Sequence, residues 1–325
     1  MKSIISKFNE TVSKVINSAI VLTTYGWIPT RSVVVSLTKS QKKFSGYLYQ
    51  VVTKLALGIG VRNFEHYEQL VSAKNYIAQE FETLGYVVSF QSYSVGEQIF
   101  SNVIASKRPT FGSNPLIIGA HYDSCYNPGA DDNASAVAGM LGLAKLLSED
   151  KVAEQIVFVA FVNEEPPFFR TAGMGSRVFA KSLKDEDLQI RGAIVLEMIG
   201  YYSNNWFSQR YPAFYGPFSP NKGNFITIAG DMHSSNLVRC FAKGFQRHSA
   251  FPLRALIAPR SLPEIGMSDN WSFGQENYSA VMVTDTAHLR NPNYHRQTDL
   301  PKTLNYLNMT SVIYGLKDTI IEILK

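Results

Sequence analysis

The chain predicts an α/β fold, and two observations carry that expectation. Short apolar runs at residues 116–120, 156–162, 190–198 and 279–284 read as buried strands, while residues 67–84, 134–147 and 173–183 show helical spacing between them. Several of the apolar runs are followed at once by residues able to bind a metal or move a proton. An open α/β sheet builds its pocket in this way, with polar side chains at strand ends and helices behind.

Residues 1–16 open the chain with Ile4, Ile5, Phe8, Val12, Val15 and Ile16 at helical spacing, and Lys7, Glu10 and Lys14 off that face. They read as an amphipathic helix that packs on the main body or lies on a membrane surface. Asn9, Glu10 and Lys14 interrupt any continuous apolar segment, so a cleaved signal peptide is not expected. Residues 15–27 are too short and too polar to span a bilayer. The expectation is a soluble protein without stable membrane insertion, with a lean to the cytoplasm. Residues 67–84 then form a helix, 86–93 alternate like a strand, and 102–105 continue as another. Residues 203–224 are loop-like and too long for a simple connection. Their aromatic side chains, Trp206, Phe207, Tyr211, Phe214 and Tyr215, either shape a pocket or pack into the core.

The chain has 325 residues, enough to bury a large core in one domain or two, and no linker or repeat divides it. Its 45% hydrophobic and 18% charged residues describe a globular protein. The net charge of +5 comes from scattered basic residues, with no stripe interleaved with aromatics. Nucleic acid is therefore not an expected partner. The two cysteines, Cys125 and Cys240, make neither a CxxC pair nor a disulfide framework.

The segment GAHYDSCYNPGADDNAS, residues 119–135, has the composition of a metal site, with His121, Asp123, Asp131 and Asp132 in seventeen residues. Cys125 lies among them as a stray ligand or as a small buried hydrophobe. After the run at 156–162 come Glu164 and Glu165. Adjacent side chains on extended backbone point to opposite sides, so one can hold a metal while its neighbour faces a reacting water. Alone, such a pair would be an ordinary charged turn. Glu197 ends the run at 190–198, and His295 follows Asn291-Pro292-Asn293-Tyr294 in a loop. Singly they could be an ion-pair carboxylate and a hydrogen-bonded histidine. With His121, Asp131 and Glu165 they make two histidines and three carboxylates, a set suited to two divalent cations such as zinc.

Five ordered motifs, GAHYDS, GADDNASAVAGML, FVAFVNEEPPFF, VLEMIGYY and TDTAHLRNPNYHRQTDLPKTLNY, resemble the M28 family of zinc metallopeptidases, the co-catalytic di-zinc aminopeptidase group. The likeness runs from about Gly58 to the C-terminus. It divides the chain into an N-terminal extension at 1–50 and a catalytic domain at 51–325. It implies a three-layer α/β/α sandwich around a mixed, mostly parallel sheet, with two zinc ions at the sheet's carboxyl edge. By that resemblance His121 and Glu197 bind one ion, Glu165 and His295 complete the shell of the pair, and Asp131 bridges both. Glu164 is then the general base, Asp123 orients the His121 imidazole, and a cis peptide joins Asp131 to Asp132.

Two positions depart from the family pattern. Glu197 stands where an aspartate is usual, and Asn270 stands where relatives often have histidine, so no catalytic role is assigned to it. The implied activity is hydrolysis of N-terminal residues from peptides, with a peptide as the partner molecule. A carboxypeptidase or dipeptidase would use the same metal shell. A glutaminyl cyclase with one zinc, or a binding domain that kept the fold and lost catalysis, are the alternatives.

Overall fold

A computed structural model describes residues 37–108, 114–211 and 219–325. The amphipathic segment at 1–16, the segment at 15–27 and the aromatic residues Phe214 and Tyr215 lie outside them. The elements in chain order are α1 (Lys39–Thr53), α2 (Tyr67–Thr83), β1 (Val87–Val95), β2 (Gln98–Ser106), β3 (Leu116–His121), α3 (Ala136–Leu147) and β4 (Ile156–Phe161). They continue with α4 (Gly175–Asp185), β5 (Gly192–Glu197), β6 (Ile226–Asp231), α5 (Ser235–His248), β7 (Leu253–Ala258), α6 (Asn270–Gln275), β8 (Ala280–Thr284) and α7 (Tyr306–Leu324).

The eight strands form one mixed sheet in the order β1-β2-β4-β3-β5-β8-β6-β7. Its centre, β4-β3-β5-β8, is parallel. On one side β2 runs antiparallel to β4 and β1 antiparallel to β2, and on the other the parallel pair β6-β7 runs antiparallel to β8.

The central strands are buried along their whole length, so their two faces are read by alternation. Leu116, Ile118, Phe158, Ala160, Ile194 and Leu196 join the larger core, which α1, α2, α3, α5 and α7 cover. Ile117, Val157, Val159, Phe161, Ala193 and Val195 point the other way, onto Phe179, Ala180 and Leu183 of α4 and Phe273 of α6. The result is the three-layer sandwich.

Helix α3 (AVAGMLGLAKLL) is apolar almost all round because sheet and helices enclose it. A Cβ at Gly142 would lie 2.8 Å from Phe44 Cζ, so its hydrogen side chain sets how closely α1 can dock. Phe44, Leu48, Val51 and Val52 of α1 all enter the large core. The helix thus runs across the boundary placed at residue 50, and residues 39–50 share the core of the rest. Thr38 caps it with a reciprocal capping box through Gln41.

Among the described residues, no helix is long and apolar enough to cross a membrane.

Candidate metal centre

The carboxyl ends of the parallel strands converge on one buried group of titratable side chains. His121 is the last residue of β3, Glu164 and Glu165 follow β4 by three and four positions, and Glu197 is the last residue of β5. His295 comes from the loop before α7. The backbone around the site is unusual: Asn163, Met198 and His295 all have φ between 45° and 60°, a left-handed region that side chains other than glycine adopt at a cost.

His121 is fully buried. Its Nε2 faces Asp132 Oδ1 at 3.4 Å, Glu197 Oε2 at 3.4 Å and Glu164 Oε2 at 3.8 Å. His295 Nε2 lies 3.2 Å from both Asp132 Oδ2 and Glu165 Oε2. Asp132 therefore turns one oxygen toward each histidine, in the position expected of a bridge. Two donor sets follow: His121, Asp132 and Glu197 on one side, and His295, Asp132 and Glu165 on the other.

Asp131 does not join them, which corrects the expected ligand set by one residue. Its Oδ1 accepts the Gly200 N–H at 2.9 Å and its Oδ2 accepts Asn291 Nδ2 at 2.6 Å, so the side chain is committed to the fold behind the site. The cis peptide likewise lies one residue later, between Asp132 and Asn133. The register is set locally and at long range. Gly129 has φ +60°, and a Cβ there would lie 2.3 Å from Asp132 O. Asp299 clamps the turn from afar, accepting the Asp131 N–H at 3.0 Å and the Asp132 N–H at 3.1 Å.

The remaining contacts hold the donors in place. Asp123 Oδ1 is 3.3 Å from His121 Nδ1, and its two oxygens accept the backbone N–H groups of Glu164 and Glu165 at 3.1 and 3.0 Å. One carboxylate thus steadies the imidazole and the strand end carrying both glutamates. Glu197 Oε2 accepts Ser268 Oγ at 2.7 Å and Asn133 Nδ2 at 3.1 Å. The ring of Tyr294 stacks on His295 with centroids 3.8 Å apart. Buried Arg62 donates to Tyr122 O, Pro128 O and Gly129 O, stapling the loop that carries Asp123 to the one that carries Asp132.

The buried charges act strongly on one another. Burial raises Glu164 well above its ordinary value, and repulsion from Glu197 adds to this against the pull of His121. Burial also pushes Glu165 up to about 7, with the charge of Asp132 adding. Burial opposes charge on His121, but Glu164 and Glu197 outweigh it and raise the imidazole well above its usual range. Asp132 ends below the usual carboxylate range despite burial, because both histidines favour its ionised form.

The donor set fits divalent ions. His121 Nε2 and His295 Nε2 are both buried and have no hydrogen-bond partner. The 3.2 and 3.4 Å donor separations match the edge of a tetrahedron with bonds of 2.0–2.2 Å, about 3.3–3.6 Å. An ion in each set would supply the missing partner and compensate the carboxylates.

Beside the donors lie two hollows. A small apolar pocket of about 90 Å³ is lined by Glu197, Leu256, Met267, Met282 and Tyr294. A larger cavity of about 510 Å³ opens past Tyr294, between Trp206, Phe207, Arg210, His288 and Arg296. Trp206 and Phe207 are thus on a cavity wall, whereas the Tyr211 hydroxyl donates to Pro220 O within the loop.

A profile of peptidase family M28 matches residues 102–316. The chain belongs to peptidase family M28. The uncharacterized protein YfbL of Escherichia coli K12 is 36% identical over 282 residues, spanning 83% of this chain and 85% of that protein. Among solved structures, BSAP, a zinc aminopeptidase from Bacillus subtilis, aligns with a TM-score of 0.67 at 14% identity, covering 86% of this chain and 94% of that one. A Bacteroides thetaiotaomicron glutaminyl cyclase aligns with a TM-score of 0.63 at 15% identity, covering 85% of this chain and 97% of the other. Both solved structures share the fold of this family member.

Sequence reasoning placed His121, Glu164, Glu165, Glu197 and His295 around one centre, and the structure brings them together. The sequence names Asp132 in the metal-site segment without a ligand role, and it does not mark Arg62, Asp299 or the buried Asp269, whose carboxyl burial raises to about 7. The Asp-Asp doublet was the visible signal for Asp132. Asn270, which took no assignment, donates to Ile265 O and lines a separate hollow.

Proposed function

We propose that this M28 member is an aminopeptidase that holds two zinc ions and releases residues from the free N-terminus of peptides. The observation that carries the reading is the sharing of Asp132 between two donor sets, with a further carboxylate, Glu164, beside them. In this reading His121, Asp132 and Glu197 hold one ion, and His295, Asp132 and Glu165 the other. When bound, the ions would acidify a water and stabilise negative charge developing on the substrate carbonyl oxygen.

The chain's own residues supply the rest. Glu164 takes the proton of the attacking water and returns it to the leaving amine, from a buried position 3.8 Å from His121 Nε2. Asp123 keeps Glu164 and Glu165 on their respective sides by holding both backbone N–H groups. The small apolar pocket beside Glu197 would take the first side chain, and the larger cavity the remainder of the peptide.

A free α-amine is a cation, and the surrounding carboxylates offer it a favourable field. Release from a peptide with an apolar first residue should be abolished by N-acetylation and little changed by C-terminal amidation. Rapid cleavage of the acetylated peptide with failure on the amidated one would move the assignment to a carboxypeptidase. The fold likeness to a glutaminyl cyclase supports a second reading, aminoacyl transfer at a single zinc; the second donor set around His295 weighs against it.

A further inference from the structure

We propose that the thiolate of Cys125 is the fourth protein ligand of the ion held by His295, Glu165 and Asp132, closing that site and leaving the open position on the ion beside His121. The inference rests on the two-ion reading above.

The sulfur of Cys125, a Glu165 carboxylate oxygen and a ring nitrogen of His295 lie within 4.8 Å of one another. Neighbouring donors in a tetrahedral shell with bonds of 2.0–2.3 Å are about 3.3–3.8 Å apart, so a side-chain shift of about 1 Å brings the sulfur into the shell. The Cys125 N–H donates to Glu165 Oε1 at 3.0 Å, while Oε2 faces His295. Glu165 therefore offers its ion one oxygen, and with Asp132 and His295 that makes three donors. A tetrahedral shell needs a fourth, and Cys125 Sγ is beside it.

The position of Cys125 is held by the fold. Asn63 Nδ2 donates to Cys125 O at 3.2 Å, and the neighbouring Ser124 N–H donates to Arg62 O at 2.9 Å. Cys125 is only partly buried and does not belong to any of the apolar cores, so it is not a space filler.

The chemical consequence is an asymmetric pair. Ligation replaces the thiol proton, which leaves to solvent, by a metal–sulfur bond. A site with sulfur, nitrogen and two oxygens selects zinc over harder ions such as magnesium or manganese. With that shell closed, the attacking water would be held by the other ion, and the closed ion would still add positive charge beside it. On the His121 side three protein donors leave a place for water, and Glu164 lies on that side, 3.8 Å from His121.

The test uses the full chain with Cys240, which is exposed, changed to serine so that Cys125 is the sole thiol. Alkylation by iodoacetamide is followed by mass spectrometry with and without zinc, and zinc content is measured on the same samples. In parallel, the cobalt(II) form is examined for a sulfur-to-cobalt charge-transfer band. Zinc should slow alkylation, and the band should be present and vanish in C125A. C125A should bind the second ion at least about 10- to 100-fold more weakly, with the first unaffected. Two bound zinc ions together with unprotected thiol and no sulfur band would overturn the thiolate ligand while leaving the two-ion reading intact. Failure to take up any zinc would overturn that reading, and this inference with it.

Discussion

Glu197 Oε2 receives the Ser268 hydroxyl at 2.7 Å and is the same oxygen that faces His121 Nε2 at 3.4 Å. Ser268 therefore fixes the longer side chain that stands where an aspartate is usual in the family. Ser268→Ala should weaken the ion on the His121 side by about 10- to 100-fold, the usual effect of removing a group that orients a ligand. Glu197→Ala should lose that ion altogether, and Glu197→Asp should keep it at reduced affinity. Zinc titration decides, and unchanged affinity in Glu197→Ala would place another donor in the shell.

Asp131 and Asp132 should behave oppositely. Burial raises Asp131 well above the carboxylate range, and the neighbouring Asp285 carboxyl adds to this, while its oxygens accept from Gly200 and Asn291 and neither belongs to a donor set. Asp131→Asn should retain two zinc ions. Asp132→Asn removes a charge shared by both donor sets and should lose at least one. Elemental analysis of the two purified variants is the measurement, and the reverse pattern would restore Asp131 as the bridge.

Much of the site was legible because its parts are local. His121 and Glu197 end strands that are unbroken apolar runs, and Glu164 and Glu165 stand just after another. A buried strand announces itself and so does its polar end. The choice between Asp131 and Asp132 was not legible, since both follow the same Gly-Ala turn. It depends on Asp299, 168 positions away, and on a left-handed glycine. The strand order was hidden for a similar reason: β8 pairs with β5 on one side and β6 on the other, and partner choice is a property of the whole sheet. Helices α1, α6 and α7 are not among the elements expected from sequence, and neither are β6, α5 and β7, whose residues 226–258 follow a long loop and carry no chemistry that marks them.

Glu164→Gln should lower turnover by about a hundred- to ten-thousandfold while zinc content stays at the wild-type level, because the glutamine keeps the shape but cannot take a proton. Glu165→Gln should instead lose metal. Turnover numbers and zinc content together separate base from ligand, and a metal-free Glu164→Gln would exchange the two roles.

Acid should remove a stabilising interaction far from the site. Burial pushes the Asp231 carboxyl up, but hydrogen bonds from Arg260 and Ser234 outweigh it and hold the group below its ordinary value. A depressed folded-state pKa contributes stability above the unfolded value, and that contribution disappears as pH falls through the folded value. Asp231→Asn should therefore be less stable than wild type at neutral pH, by about 1 kcal/mol given that Arg260 is partly exposed. The two melting curves should converge below about pH 4. A difference that persists unchanged into strong acid would assign the effect to packing.

Two metal ions should share Asp132. Anomalous diffraction from crystals of the zinc-loaded protein, recorded at the zinc edge, tests it directly. Two peaks are expected, one against His121 and Glu197 and one against His295 and Glu165, each within bonding distance of an Asp132 oxygen. A single peak at saturating zinc, with the His295 side empty, would contradict it and favour the one-zinc chemistry of a cyclase.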